Sequence, residues 1–107
     1  ANVLGTKGHG FKMAMAGLDG GRINIGSCSL GAAQACFEIA VDYVKERKQF
    51  GKHIGTNQAL QFKLANMAQN IQVSRLALRN AAHLMDTGHP AATAQCAMAK
   101  RLATDSV

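Results

Sequence analysis

VKERKQFGKHIGTNQALQF, residues 44–62, closes one helical pattern and opens another. Upstream of it, apolar residues recur every three or four positions at Ile25, Cys28, Ala32, Ala35, Ile39 and Tyr43. A second row at Leu30, Ala33, Phe37, Val41 and Val44 widens the apolar arc. This is the helical period, and it predicts a helix from Gly21 to Lys48 that is buried on several sides. Downstream, Leu60, Leu64, Met67, Ile71, Leu78, Ala82 and Met85 make a near-heptad stripe with Ser74 as its polar gap, predicting a helix from Asn57 to Thr87. Two long helices joined by a short bend pack as antiparallel neighbours. The bend holds more than a connection requires. Lys45, Arg47, Lys48 and Lys52 surround a lone aromatic, Phe50. That grouping suits an anionic, partly aromatic ligand. It also suits a plain helix C-terminus, where the helix dipole favours cations such as Lys45 and Lys48.

The remaining segments extend the same architecture. Residues 1–10 read as a linker broken by Gly5, Gly8 and Gly10, and residues 11–18 as a short helix. Asp19, before Gly20 and Gly21, is placed to cap the long helix that follows. Gly26 and Gly31 inside that helix cost about 1 kcal/mol each relative to alanine. They suit close approach by a neighbouring helix, or by a flat ligand. Thr56 or Asn57 serves as N-cap of the second long helix. Gly88 stops it, and Pro90 fits the first turn of a third helix carrying Ala94, Ala97, Met98, Leu102 and Val107. The expected fold is all-α, an antiparallel bundle supplying three helices of an up-down four-helix bundle, with residues 11–107 as a partial bundle domain. Its wide apolar faces call for a fourth helix, from further along or from another chain. Both ends read as cuts from a longer protein.

Composition narrows the function. With 48% hydrophobic residues the chain is not disordered. The net charge of +6 attracts anions. Four of the twelve cations fall within residues 45–52, while Lys7, Lys63, Arg75 and Lys100 are scattered. That distribution argues for a local anion site and against a nucleic-acid stripe. Cys28, Cys36 and Cys96 are odd in number and form no CxxC pair, so a reducing compartment is expected, with Cys28 and Cys36 as small core hydrophobes. His9, His53, His83 and His89 lack metal-ligand spacing. No run reaches the ~18 apolar residues of a membrane span, and the start lacks the order of a signal peptide.

Four blocks in sequence, NVLGTKGHGFKMAM, GLDGGRINIGSCSLGAAQA, ERKQFGKHI and NQALQFKLANMA, resemble the acyl-CoA dehydrogenases. The likeness covers essentially the whole chain, and its wording is most like the short branched-chain members. The resemblance implies the C-terminal helical domain of an FAD enzyme that desaturates an acyl-CoA, passes electrons to an electron-transfer flavoprotein and assembles as a homotetramer. A bacterial cytoplasm or mitochondrial matrix follows from it. Arg47, Gln49 and Phe50 match the turn that reaches the pyrophosphate and adenosine of FAD across a subunit interface, and Asn57 matches a further position near the flavin. Leu18, Asp19 and Arg22 match contacts to the acyl-CoA, and the match favours that reading over an aspartate cap and an ion pair across one turn for the last two. Gly21 stands where isovaleryl-type members carry the catalytic glutamate. Glu38 and Glu46 have ordinary ion-pair explanations, so no catalytic base is expected within these residues. Two other classes stay open: a non-catalytic helical oligomerisation module, and a basic helical nucleic-acid binder.

Overall fold

The computed structural model describes residues 2–105. Three helices carry the fold: α1, Gly10–Glu46; α2, Gln58–Asp86; and α3, Ala92–Asp105. A hairpin of two short antiparallel strands, β1 (Lys48–Gln49) and β2 (Lys52–His53), followed by a 3-10 turn at Ile54–Thr56, joins α1 to α2. Side-chain contacts fix the directions. Arg75 of α2 reaches Gln34 of α1, and Gly55 lies against Val44. Thr93 reaches Asp19, and Gly26 lies against Lys100 and Ala103. So α2 runs antiparallel to α1, and α3 returns parallel to it, as an up-down-up bundle.

The break expected at Asp19–Gly20–Gly21 is absent, and α1 passes through it as one helix. Six glycines lie within α1, yet tertiary contacts outweigh their propensity cost. The Asp19 carboxylate does not cap. Its Oδ1 accepts from Arg22 NH1 at 2.7 Å, across one helical turn, and its Oδ2 accepts from Thr93 Oγ1 at 2.6 Å. Both bonds engage the carboxylate away from a capping role.

The end of α2 follows the expectation. Gly88 has φ +64, His89 N–H donates to Leu84 O at 2.9 Å and Gly88 N–H to Met85 O at 3.1 Å. This is a Schellman closure. Asn57 occupies the N-cap position, but its side chain makes no capping bond. Thr56 Oγ1 donates back to His53 O instead. Pro90 precedes α3, which begins two residues later, after the His89 Nδ1 accepts from Ala91 N–H.

The core is small and sits where all three helices meet. Leu78, Ala81, Cys96, Ala99 and Ala103 are buried together, with Ile23, Leu30 and Ala77 packed on them, and Ile71 is buried nearby. Three expectations are corrected here. On α1, the second row faces the bundle, while the first row looks outward, with Ile39 69% and Tyr43 56% exposed. Cys28 and Cys36 belong to that outward side and are exposed rather than core. On α3, the inward face is Cys96, Ala99 and Ala103, whereas Ala94, Ala97 and Met98 are exposed and Leu102 is half-buried. Val107 lies outside the described residues. On an alanine-rich helix nearly every face reads as apolar, so periodicity does not single out the buried one. On α2, Ile71, Ser74, Leu78 and Ala81 are buried, and Ala82 is half-buried. The Ser74 hydroxyl is fully buried with no hydrogen-bond partner, a cost of about 1–3 kcal/mol.

Candidate functional site

The bend of residues 47–57 is a built structure. Arg47 ends α1 in extended conformation (φ −67, ψ 128), its N–H bonded to Tyr43 O at 2.9 Å. Its carbonyl accepts from Ile54 N–H at 2.9 Å, and Ile54 O accepts from Asn57 N–H at 3.0 Å. These successive backbone bonds gather Arg47, Ile54 and Asn57 at one end of the bundle. Lys48 pairs with His53 and Gln49 with Lys52, leaving Phe50 and Gly51 as a two-residue loop. Both loop residues have positive φ, +50 and +78. This is the type I′ arrangement, whose twist matches the strands. Asparagine or glycine is usual at the first position. A phenylalanine there accepts about 1–2 kcal/mol of backbone strain, and its ring is 98% exposed. Strained residues of this kind cluster at functional sites.

Charge reinforces the geometry. Arg47, Lys48, Lys52 and His53, in or next to the hairpin that carries Phe50, are exposed, and among the described residues the Arg47 guanidinium has no hydrogen-bond or ion-pair partner. Lys45 pairs with Asp42 at 3.6 Å, as the helix-end reading expects. The Asn57 amide is likewise unused, while its carbonyl accepts from Leu60 and Gln61 N–H. The structure therefore brings Arg47, Gln49, Phe50 and Asn57 to one end of the molecule.

Leu18, Asp19 and Arg22 lie toward the other end of α1, about 38–44 Å from Arg47 at the helical rise. Leu18 is exposed. Asp19, its side chain 15% exposed, links Arg22 on its own helix to Thr93 on α3. The sequence could not reveal Thr93, since it lies 74 residues from its partner and no local spacing signals it. Glu38 accepts from Gln34 Nε2 at 2.7 Å, and Gly21 meets open space.

Cys96 sits beneath the Asp19–Arg22 pair, fully buried with its Sγ 4.0 Å from Ala81 O. Burial pushes its thiol pKa up, the Asp19 carboxylate adds to the rise, and Arg22 opposes it. In the native protein Cys96 is expected to resist iodoacetamide about a thousandfold or more, since the reagent reaches it through unfolding. The folded-state pKa is raised. The thiol's contribution to stability is therefore complete below its ordinary pKa and is lost as pH rises through the raised value. Peptide mapping of labelling before and after denaturant checks this; prompt native labelling at Cys96 would refute the packing around it.

The family model described as acyl-CoA dehydrogenase, C-terminal domain, covers residues 8–107, and the chain belongs to the acyl-CoA dehydrogenase family. The mitochondrial isobutyryl-CoA dehydrogenase of Dictyostelium discoideum is 51% identical over 104 residues, 97% of this chain and 25% of that protein. The mitochondrial short/branched chain specific acyl-CoA dehydrogenase of Bos taurus is 46% identical over 89 residues, 83% of this chain and 21% of that protein. Butyryl-CoA dehydrogenase from Megasphaera elsdenii superposes with a TM-score of 0.93 at 45% identity, over 98% of this chain and 27% of that one. A chain in a structure described as the electron transferring flavoprotein of Acidaminococcus fermentans does so at 0.93 and 47%, over 98% and 27%. The chain thus spans about a quarter of the length of the relatives it matches. No helix among the described residues is long and apolar enough to cross a membrane.

Proposed function

We propose that this domain serves an FAD-dependent acyl-CoA dehydrogenase which oxidises a short branched-chain acyl-CoA to the 2,3-enoyl-CoA. The observation that carries the reading is the hairpin tip: an exposed aromatic held at positive φ beside an unpartnered arginine, in a member of this family. These residues fit a dinucleotide. Arg47 offers a planar fork of donors to pyrophosphate oxygens. Gln49 and Asn57 offer amides, and the Phe50 ring offers a face to adenine or ribose. Bound FAD would accept the hydride from the substrate's β-carbon, and the protein would position it.

At the far end of α1, Leu18, Asp19 and Arg22 border the acyl-CoA. Arg22 supplies a donor whose orientation Asp19 fixes, and Gly20 and Gly21 leave the helix surface free of side chains where the thioester arm would pass. Glu38 is tied to Gln34, and Gly21 has no side chain to accept a proton, so a base is assigned to the rest of the protein. The same reading gives an electron-transfer flavoprotein as acceptor, a homotetramer as the assembly that covers the outward row of α1, and a matrix or bacterial cytoplasm as location. Residues 1–10 lead in from a preceding β domain, and 11–107 form part of the helical domain.

The short branched substrate is supported by the names of the relatives at 51% and 46% identity. Anaerobic titration of the full-length protein tests it. Isobutyryl-CoA is expected to bleach the flavin absorbance at lower concentration than straight-chain butyryl-CoA does. A flavin-free protein would favour an oligomerisation module, and preference for butyryl-CoA would reassign the substrate.

A further inference from the structure

The hairpin is fastened to its own helix and to the next one by different means. On the α1 side the attachment is backbone: the Arg47 N–H bond to Tyr43 O at 2.9 Å, and a close approach in which a Cβ built on Gly55 would stand 2.9 Å from Val44 O. On the α2 side, Gln61, in the first turn of α2, donates from Nε2 to Gly55 O at 2.9 Å. It spans six residues, and among the described residues it is the one side-chain hydrogen bond from α2 to the hairpin and its 3-10 turn. Gly55 O belongs to the last residues before α2, a place where no helical N–H reaches it. With the Asn57 N–H bond to Ile54 O, the Gln61 bond ties the 3-10 turn to the start of α2.

From this geometry we infer that Gln61 is a positioning residue for the cofactor-binding hairpin. It does not touch the cofactor. It fixes the 3-10 turn that carries the Ile54–Arg47 bond, and so holds the Arg47 fork and the Phe50 ring in register for one extended anionic ligand. The inference rests on the reading of Arg47 and Phe50 as FAD contacts. Pre-formed arms bind more tightly because less ordering is left for the binding step.

The test uses the full-length holoprotein. Gln61→Met keeps the length and removes the donor, and Gln61→Glu keeps the shape with acceptors alone. Both are expected to raise the FAD dissociation constant about threefold to tenfold, because a loosened hairpin must be ordered in the binding step. Hydrogen exchange of the Ile54 amide in the apoprotein should quicken in both. With FAD saturating, the KM for acyl-CoA should match the parent, as should the apoprotein melting temperature. Arg47→Ala, measured beside them, separates the two ideas. If Arg47→Ala binds FAD like the parent, the cofactor reading fails. If Arg47→Ala loses FAD while both Gln61 variants keep it, the positioning role is wrong and the cofactor reading stands. A Gln61 loss matched by falls in melting temperature and in acyl-CoA affinity would assign Gln61 to general stability and overturn the inference.

Discussion

Arg47→Ala in the full-length protein is expected to raise the FAD dissociation constant about tenfold to hundredfold, equivalent to a charge-assisted bond of about 1.5–3 kcal/mol. The fold should survive the change. What the bend draws from Arg47 is its backbone: the N–H bonded to Tyr43 O and the carbonyl that receives Ile54 N–H. Alanine keeps both. The guanidinium, exposed and without a partner among the described residues, contributes nothing to the bundle that truncation would remove. Arg47→Lys should restore binding in part, since a point charge cannot reproduce the two-pronged donor. Lys48→Ala, next along and paired in the hairpin through its backbone, is the comparison and should change affinity little. Flavin fluorescence during dilution measures all three. Equal retention by Arg47→Ala and the parent, or equal loss in Lys48→Ala, would leave the bend as a basic helix end.

The second large effect lies at the helix crossing. A Cβ on Gly26 would meet Leu78 Cδ2 at 2.7 Å and both Ala103 Cβ and Lys100 Cα at 3.6 Å. The first neighbour is the tip of a flexible side chain, and the other two belong to a helix packed against α1. Gly26→Ala is therefore expected to be close to neutral. Leu78 must rotate, and the lost helix penalty of about 1 kcal/mol offsets that cost. Gly26→Leu has no such escape. Its side chain must push α3 away, at about 1–3 kcal/mol. Gly31→Ala, where a Cβ meets nothing, should stabilise by roughly 0.5–1 kcal/mol through the helix term alone. Urea melts of the three variants give the ordering. A Gly26→Leu midpoint equal to that of Gly26→Ala would mean that α3 does not press on α1 here.

The three-helix order, the bend and the closure at Gly88 were legible because each depends on local chemistry: a helical period, a cluster of punctuating residues, a glycine at positive φ. The faces were less legible. Ile25, Ile39 and Tyr43 form as regular a row as Leu30, Phe37 and Val41, and the period alone cannot say which row meets α2. The apparent break at Asp19 misled for the opposite reason. Locally, an aspartate before two glycines is a cap, but its carboxylate is claimed by a threonine on another helix, and long-range contacts leave no local trace. At the candidate site, the cations and Phe50 could be read directly. The positive φ of Phe50 could not, because Phe-Gly is not among the dipeptides that announce a type I′ turn. Gln61 was hidden too, as one polar residue among several on the exposed side of a helix.

The unbroken run of α1 through Gly20 and Gly21 couples its two ends in phase as well as in distance. A kinked pair of helices would let each end find its own partner independently. A single rod does not. Inserting one residue anywhere between Arg22 and Arg47 would lengthen the rod by about 1.5 Å and turn one end against the other by about 100°. The Asp19–Arg22 pair and the Arg47–Phe50 hairpin would then be turned against each other, with every individual side chain still intact. Residue number between the two ends is thus itself a constrained quantity. Changes near two whole turns, about seven residues, would restore the facing but displace one end by about 10 Å.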